Sequence, residues 1–413
     1  MKAAILTIGD ELLIGQTIDT NSAWIGSELS KSGFDVFRII SVHDKKEDII
    51  YALNELQDKA DVVLITGGLG PTSDDITKPV LCEFFNTRLV ENEEVLAMIE
   101  EMMARRNNPM NENNRRQAHL PEACRILKNA KGTAPGMWFE KNRTIFISMP
   151  GVPSEMKYIM TEHVLPELRK RFTSQIIIHR NIMTYGTFEA KLAETLVDFE
   201  RNLPGNIRLA YLPSSGVIKL RLTGSGKNQH TLQEQIDKQV KSLYNIIPEF
   251  IYGENEDSLE KVIGDLLIKR NQTICTVESC TGGEIAHLLT GIPGSSAYYA
   301  GSIIAYANSV KSGLVKVSED LLLKYGAVSE EVVKHMATNG RNIIGTDYCI
   351  ATSGIAGPDG GSDNKPVGTL WMAVSSERGI ITEKRVFGTD REANIKRFSL
   401  AALNLLRKQI ING

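Results

Sequence analysis

The sequence predicts an α/β protein: two doubly wound α/β domains, at residues 1–170 and 255–413, joined by a small α+β module at 171–254. Three observations predict this. Short apolar runs alternate with helix-period stretches toward both ends of the chain, the pattern of a parallel sheet covered by helices. Glycine-rich turns follow several of those runs directly, at the strand ends where such sheets bind ligands. Between the two blocks, a segment bounded by Pro166 and by Pro248 with Gly253 reads strand, helix, strand, strand, helix and breaks the alternation.

In the first block residues 3–8 are apolar and read as a strand, and 20–29 has helical spacing through Ala23, Trp24 and Leu29. Residues 34–42 are extended and 49–56 helical. The wholly apolar 62–65 is a buried strand ending in Thr66-Gly67-Gly68. Residues 137–140 and 144–148 form a hairpin that leads into Met149-Pro150-Gly151-Val152-Pro153-Ser154-Glu155. In the module, strands at 175–184, 207–212 and 217–223 accompany helices at 188–199 and 232–246. It shows no cluster of catalytic residue types, so a spacer between independently folding domains is expected. In the last block Ser258 caps a helix running to Lys269. Strands at 273–277, 302–305, 348–352, 368–374 and 380–387 then alternate with helices at 284–289, 318–325, 329–344 and 391–408.

Composition narrows the class. A chain of 413 residues with 42% hydrophobic and 23% charged residues is ordinary for a globular protein. The net charge of -3 gives no support for a nucleic-acid partner. Arg105-Arg106 and Arg115-Arg116 lie among acids and read as a solvated helix face. The five cysteines show no C-x-x-C spacing, so a reducing cytoplasm is expected rather than a disulfide or metal framework. The first residues lack the apolar core and cleavage site of a signal peptide. No apolar run approaches the ~18 residues needed to cross a bilayer, and no membrane partner is expected.

The richest segment for chemistry is Ser279-Cys280-Thr281-Gly282-Gly283. It places a hydroxyl at a strand end and a helix mouth, where backbone N–H groups near Thr281, Gly282 and Gly283 would face a substrate. A plain helix N-cap is the competing use of that serine. Its company shifts the balance: Tyr306 and Lys311 follow the next strand, and a partly buried lysine can serve as general base. Serine, lysine and tyrosine suffice to hydrolyse an amide without metal. Cys280 is the rival nucleophile, but no histidine lies in a motif that would activate it. The stretch 353–362, with Gly354 and Gly357, reads as a binding loop, and Arg391 as a clamp for phosphate or carboxylate.

In the first block Gly67, Gly68, Gly70 and Thr72 lie in a loop resembling a phosphate cradle, without the Walker ending or a dinucleotide-fold glycine pattern. Asp74 and Asp75 follow as hard oxygen ligands for a divalent cation, with Asp10 and Glu155 as further candidates. Metal-assisted chemistry on a phosphate ester or pyrophosphate is the expectation, against simple complementing of a helix dipole.

Taken together these motifs resemble the CinA (competence/damage-inducible protein A) family, across essentially the whole chain. Thr7-Ile8-Gly9-Asp10-Glu11, the 67–75 loop and Pro150-Gly151-Val152-Pro153-Ser154-Glu155-Met156 resemble the domain shared with molybdopterin-biosynthesis proteins. Glu278-Ser279-Cys280-Thr281-Gly282-Gly283, the 306–311 stretch and the 353–361 loop are similar to nicotinamide-nucleotide amidohydrolases. The resemblance implies a bifunctional hydrolase of pyridine-nucleotide salvage. One activity would deamidate nicotinamide mononucleotide without a cofactor, using Ser279, Lys311 and Tyr306, with Arg391 binding the ligand. The other would cleave ADP-ribose with a divalent metal (Mg, Mn or Co), using Asp75. A cytoplasmic homodimer is expected. An assembly role in DNA uptake, from the family name, and pterin handling, from the shared fold, are the alternatives.

Overall fold

The computed structural model describes residues 1–72, 75–172, 176–214 and 216–412. Asp74, and Gln175 with which the predicted strand 175–184 begins, lie outside them. The strands of the first part are β1 (Lys2–Ile8), β2 (Asp35–Val42), β3 (Val62–Thr66), β4 (Leu89–Glu91), β5 (His119–Pro121), β6 (Arg125–Leu127), β7 (Gly136–Lys141) and β8 (Thr144–Met149). Those of the module are β9 (Ile176–Tyr185), β10 (Ile207–Ser214), β11 (Val217–Gly226) and β12 (Ile251–Glu254). The last are β13 (Ile274–Glu278), β14 (Tyr299–Ile304), β15 (Tyr348–Gly354), β16 (Thr369–Ser376) and β17 (Gly379–Val386). The chain divides into two compact units, Met1–Ile178 with Gly224–Gln233 and His179–Thr223 with Glu234–Gly413.

The main sheet of the first unit runs β2-β1-β3-β8-β7-β6. Strands β2, β1, β3 and β8 are parallel, β7 runs antiparallel to β8, and β6 runs antiparallel to β7. Successive residues of β1 and β3 enter opposite cores. Ala4, Leu6, Val63 and Ile65 pack with the helix Lys46–Leu56 on one face. Ala3, Ile5, Val62 and Leu64 pack on the other with Ile25 of the helix Thr20–Lys31 and Met156 of Pro153–Ile159. Both faces of the sheet are therefore covered, which is why these strands are continuously apolar. Their carboxyl ends, at Ile8, Thr66 and Met149, lie together through the register Thr7–Thr66 and Thr66–Met149.

In the second unit the sheet runs β14-β13-β15-β16-β17, parallel through β15 and antiparallel beyond it. Here too neighbours alternate between cores, with Ile274 and Ile350 on one side and Cys275, Val277, Cys349 and Ala351 on the other. The module strands order as β10-β11-β9-β12. The module is more than a spacer here. Met183, Tyr185 and Tyr252 share one apolar cluster with Leu259, Phe398 and Leu406. Arg407, buried on the helix Arg391–Asn412, donates from Nη1 to the Ile251 carbonyl at 3.1 Å. Among the described residues no helix is long and apolar enough to cross a membrane.

Candidate functional site

Strand β13 delivers Ser279 at its carboxyl end, and the Ser279 N–H donates to the Thr352 carbonyl of β15 at 3.1 Å. The serine does not cap the helix Glu284–Thr290. That helix starts from Gly283, at φ 104°, with no side-chain cap. Ser279 Oγ instead meets Lys311 Nζ at 3.0 Å. Lys311 sits on the short helix Asn308–Gly313, is 1% exposed, and also donates to the Ala305 (2.7 Å) and Tyr306 (3.0 Å) carbonyls. Burial holds its pKa below the ordinary lysine value. A neutral amine has two N–H donors and one lone pair. In that form the Ala305 and Tyr306 carbonyls would take both donors and leave the lone pair for the serine O–H, whereas the ammonium donates to all three oxygens.

Cys280 lies in the same wall but is inert. It is buried, and desolvation pushes its thiol to about 12. Tyr306 departs from the expected placement. Its ring is exposed, and its hydroxyl accepts from Arg391 Nη2 at 3.1 Å rather than contacting Ser279. Arg391 Nη1 donates to the Gly357 carbonyl at 2.9 Å, so guanidinium, phenol and binding loop form one rim. Gly357 needs its glycine: its φ is 95°, and a Cβ there would come within 2.7 Å of the Thr389 carbonyl oxygen. The cavity so bounded, about 290 Å³, is lined by Ser279, Tyr306, Lys311, Gly354, Gly357 and Arg391. Asn308 and Asp359 also line it and were not singled out from the sequence.

Thr281, Gly282 and Gly283 do not line it, and the reason is Glu278. This carboxylate is fully buried at the end of β13. It accepts from the Thr281 hydroxyl (2.7 Å) and from the N–H groups of Gly283 (3.0 Å), Ile285 (3.1 Å) and Ala286 (2.8 Å). Of the three amides expected to face substrate, that of Gly283 is thus spent on a protein carboxylate, and that of Gly282 donates to the Ser279 carbonyl at 3.1 Å. The visible signal was an acid ending an apolar strand, where a charge is buried only with partners.

At the ends of β1, β3 and β8 lies a second cavity of about 470 Å³, lined by Gly67, Gly68, Gly70, Asp75, Glu155 and Asn21 among others. Gly67 is held at φ 112°, and a Cβ there would run into the Ile8 carbonyl oxygen, so a side chain has no room. Thr72 lines a neighbouring cavity instead. The Asp75 carboxylate accepts from the N–H groups of Gly70 (2.7 Å) and Thr72 (2.9 Å) and from the Thr72 hydroxyl, so it ties its own loop. Asp10 accepts from His43 Nδ1 (2.8 Å), which lowers its pKa, and it stands outside the cavity lining where Glu11 and Asp44 enter. Glu155, its pKa raised by burial, accepts from Asn129 Nδ2 at 2.7 Å. Among the described residues no three His, Cys, Asp or Glu groups gather to hold a metal ion, and Asp74 lies outside them. The described carboxylates do not form a ligand set as they stand.

The chain matches three family patterns. These are a "Probable molybdopterin binding domain" at residues 4–170, a damage-inducible protein CinA KH domain at 179–253 and a CinA C-terminal domain at 256–410. A CinA-like protein of Cytophaga hutchinsonii is 50% identical over 99% of this chain and 98% of its own length. One of Flavobacterium psychrophilum is 46% identical over 100% and 99%. A solved competence damage-inducible protein A of Klebsiella pneumoniae is 31% identical, covering 37% of this chain and 95% of its own, with a TM-score of 0.36.

Proposed function

This chain belongs to the CinA family, and from that premise we propose a hydrolase with two separate sites, a nicotinamide-nucleotide amidohydrolase at Ser279 and an ADP-ribose pyrophosphatase at the cavity beside Asp75. The observation that carries the first is the Lys311 Nζ, buried and 3.0 Å from Ser279 Oγ. Ser279 Oγ attacks the carboxamide carbon of nicotinamide mononucleotide as Lys311 takes its proton. The tetrahedral adduct collapses, the C–N bond breaks, and the proton leaves with ammonia. Water then attacks the Ser279 ester with Lys311 again as base, the C–Oγ bond breaks as Lys311 returns the proton to Ser279 Oγ, and nicotinate mononucleotide departs. Arg391, held at the rim by Tyr306 and Gly357, supplies the charge that a substrate phosphate needs.

The second activity is supported by the glycine-built cavity at three parallel strand ends and by the family resemblance. A divalent metal would neutralise pyrophosphate charge there.

Incubating the protein with nicotinamide mononucleotide and separating the products by chromatography tests the first activity. Ser279→Ala should lower turnover by about a thousandfold or more, with the circular dichroism spectrum unchanged. Cys280→Ala should keep most of it. A fully active Ser279→Ala, or an inactive but folded Cys280→Ala, would overturn the assignment.

A further inference from the structure

The helix Thr77–Phe84 places Lys78 beside the loop that carries Gly70, Thr72 and Asp75. Lys78 is 8% exposed, and its Nζ donates to the Gln117 carbonyl (3.1 Å) and to Gln117 Oε1 (2.9 Å). A lysine only donates, so the amide oxygen of Gln117 must face it and Nε2 must face away. Gln117 is 1% exposed, and its Nε2 has no hydrogen-bond partner. A buried amide nitrogen left without an acceptor is a standing cost that a ligand oxygen would remove.

Gln117 also stands at a boundary. With Gly70, Pro71 and Asp75 it lines both the cavity of about 470 Å³ at the strand ends and a neighbouring one of about 770 Å³. The larger cavity includes Lys78 and His119, whose Nδ1 is likewise buried without a partner. Its acids are already engaged: Asp75 ties its own loop, and Glu112 faces Arg116 at 3.6 Å. The unspent capacity at the shared wall is therefore mainly that of a donor, carried by a lysine ammonium and a buried amide.

Resting on the pyrophosphatase reading, we propose that Lys78 and Gln117 form a phosphoryl-receiving point for a two-armed pyrophosphate. Its linked phosphates lie at the wall shared by the two cavities, with one arm in each. The substrate class is a nucleoside diphosphate esterified to a second sugar or nucleoside, in preference to a mononucleotide.

The test uses the full chain and measures binding of ADP-ribose, inorganic pyrophosphate and AMP by calorimetry, with ADP-ribose turnover in parallel. Gln117→Glu keeps an oxygen for Lys78, replaces the free amide nitrogen by an acceptor and adds a negative charge where the phosphates would lie. Lys78→Met removes the charge with similar bulk. Each should weaken ADP-ribose and pyrophosphate binding by about ten- to hundredfold and AMP binding less. Should Lys78→Met fail to fold, Gln117→Glu decides alone. Wild-type affinity for ADP-ribose and pyrophosphate in folded Gln117→Glu overturns the site, even if the protein cleaves ADP-ribose. Absence of any ADP-ribose or pyrophosphate binding to the unaltered protein also overturns it. Binding that depends on Lys78 and Gln117 without any turnover supports the site and removes the pyrophosphatase reading instead.

Discussion

Arg391 donates to the hydroxyl of Tyr306 at 3.1 Å, across the rim of the cavity that holds Ser279. The tyrosine thereby orients a cation at the mouth, while only its backbone carbonyl reaches Lys311. Arg391→Ala should raise KM for nicotinamide mononucleotide by about tenfold or more, with a smaller change in kcat. Tyr306→Phe should act in the same direction and more weakly, because Gly357 still holds the guanidinium. Steady-state kinetics check this. A collapse of kcat in Tyr306→Phe at unchanged KM would instead make the phenol a proton carrier.

The lysine base sets a pH dependence with a definite sign. Burial lowers the Lys311 pKa below 10.5, and only the neutral amine can accept the serine proton. The kcat/KM for deamidation should therefore rise with pH through that lowered pKa. Lys311→Arg should lose activity across the whole range, since a guanidinium stays protonated. A pH–rate profile of both proteins tests this, and a flat profile for the unaltered protein would remove Lys311 as base.

Glu278 should prove essential to the shape of the nucleophile loop. In Glu278→Gln one carboxylate oxygen becomes an NH₂ that meets N–H donors of the helix start. The cost should be about 1.5–3 kcal/mol, read as a lower melting temperature by calorimetry. Unchanged melting would show that the buried carboxylate does not bear on the loop.

The two proposed reactions should separate. Asp75→Ala removes the acceptor of Gly70, Thr72 and its hydroxyl, and should abolish ADP-ribose hydrolysis while leaving deamidation near its starting rate. A chelator should do the same, because a serine with its own base needs no Lewis acid. Equal loss of both activities under either treatment would contradict two independent sites.

Much of the fold was legible because it rests on local, repetitive signals. Residues 62–65 are wholly apolar and lie in a strand covered on both faces, and Ser258 does accept from the Lys261 N–H as a cap. Arg105, Arg115 and Arg116 pair with Glu101, Glu91 and Glu112 at the surface, as their mixed charge suggested, and Arg106 donates to the Lys131 carbonyl. The union of the module with the last domain was not legible. Met183, Tyr185 and Tyr252 look like ordinary strand residues until their partners, far along the chain, are known.

By itself the sequence determined the strand and helix alternation, the residue types at each strand end, and the candidacy of Ser279, Lys311 and Arg391. Only the tertiary structure decided how they are used. Whether Ser279 caps a helix or meets an amine depends on where the helix Asn308–Gly313 packs, and that packing puts Lys311 Nζ against two carbonyls and one hydroxyl. Likewise Glu278, not a substrate, takes the amides of the helix start, and Gln117 turns its amide to Lys78. Hydrogen-bond donors are assigned by proximity in space, and proximity between residues distant in sequence is a property of the packed core rather than of any local pattern.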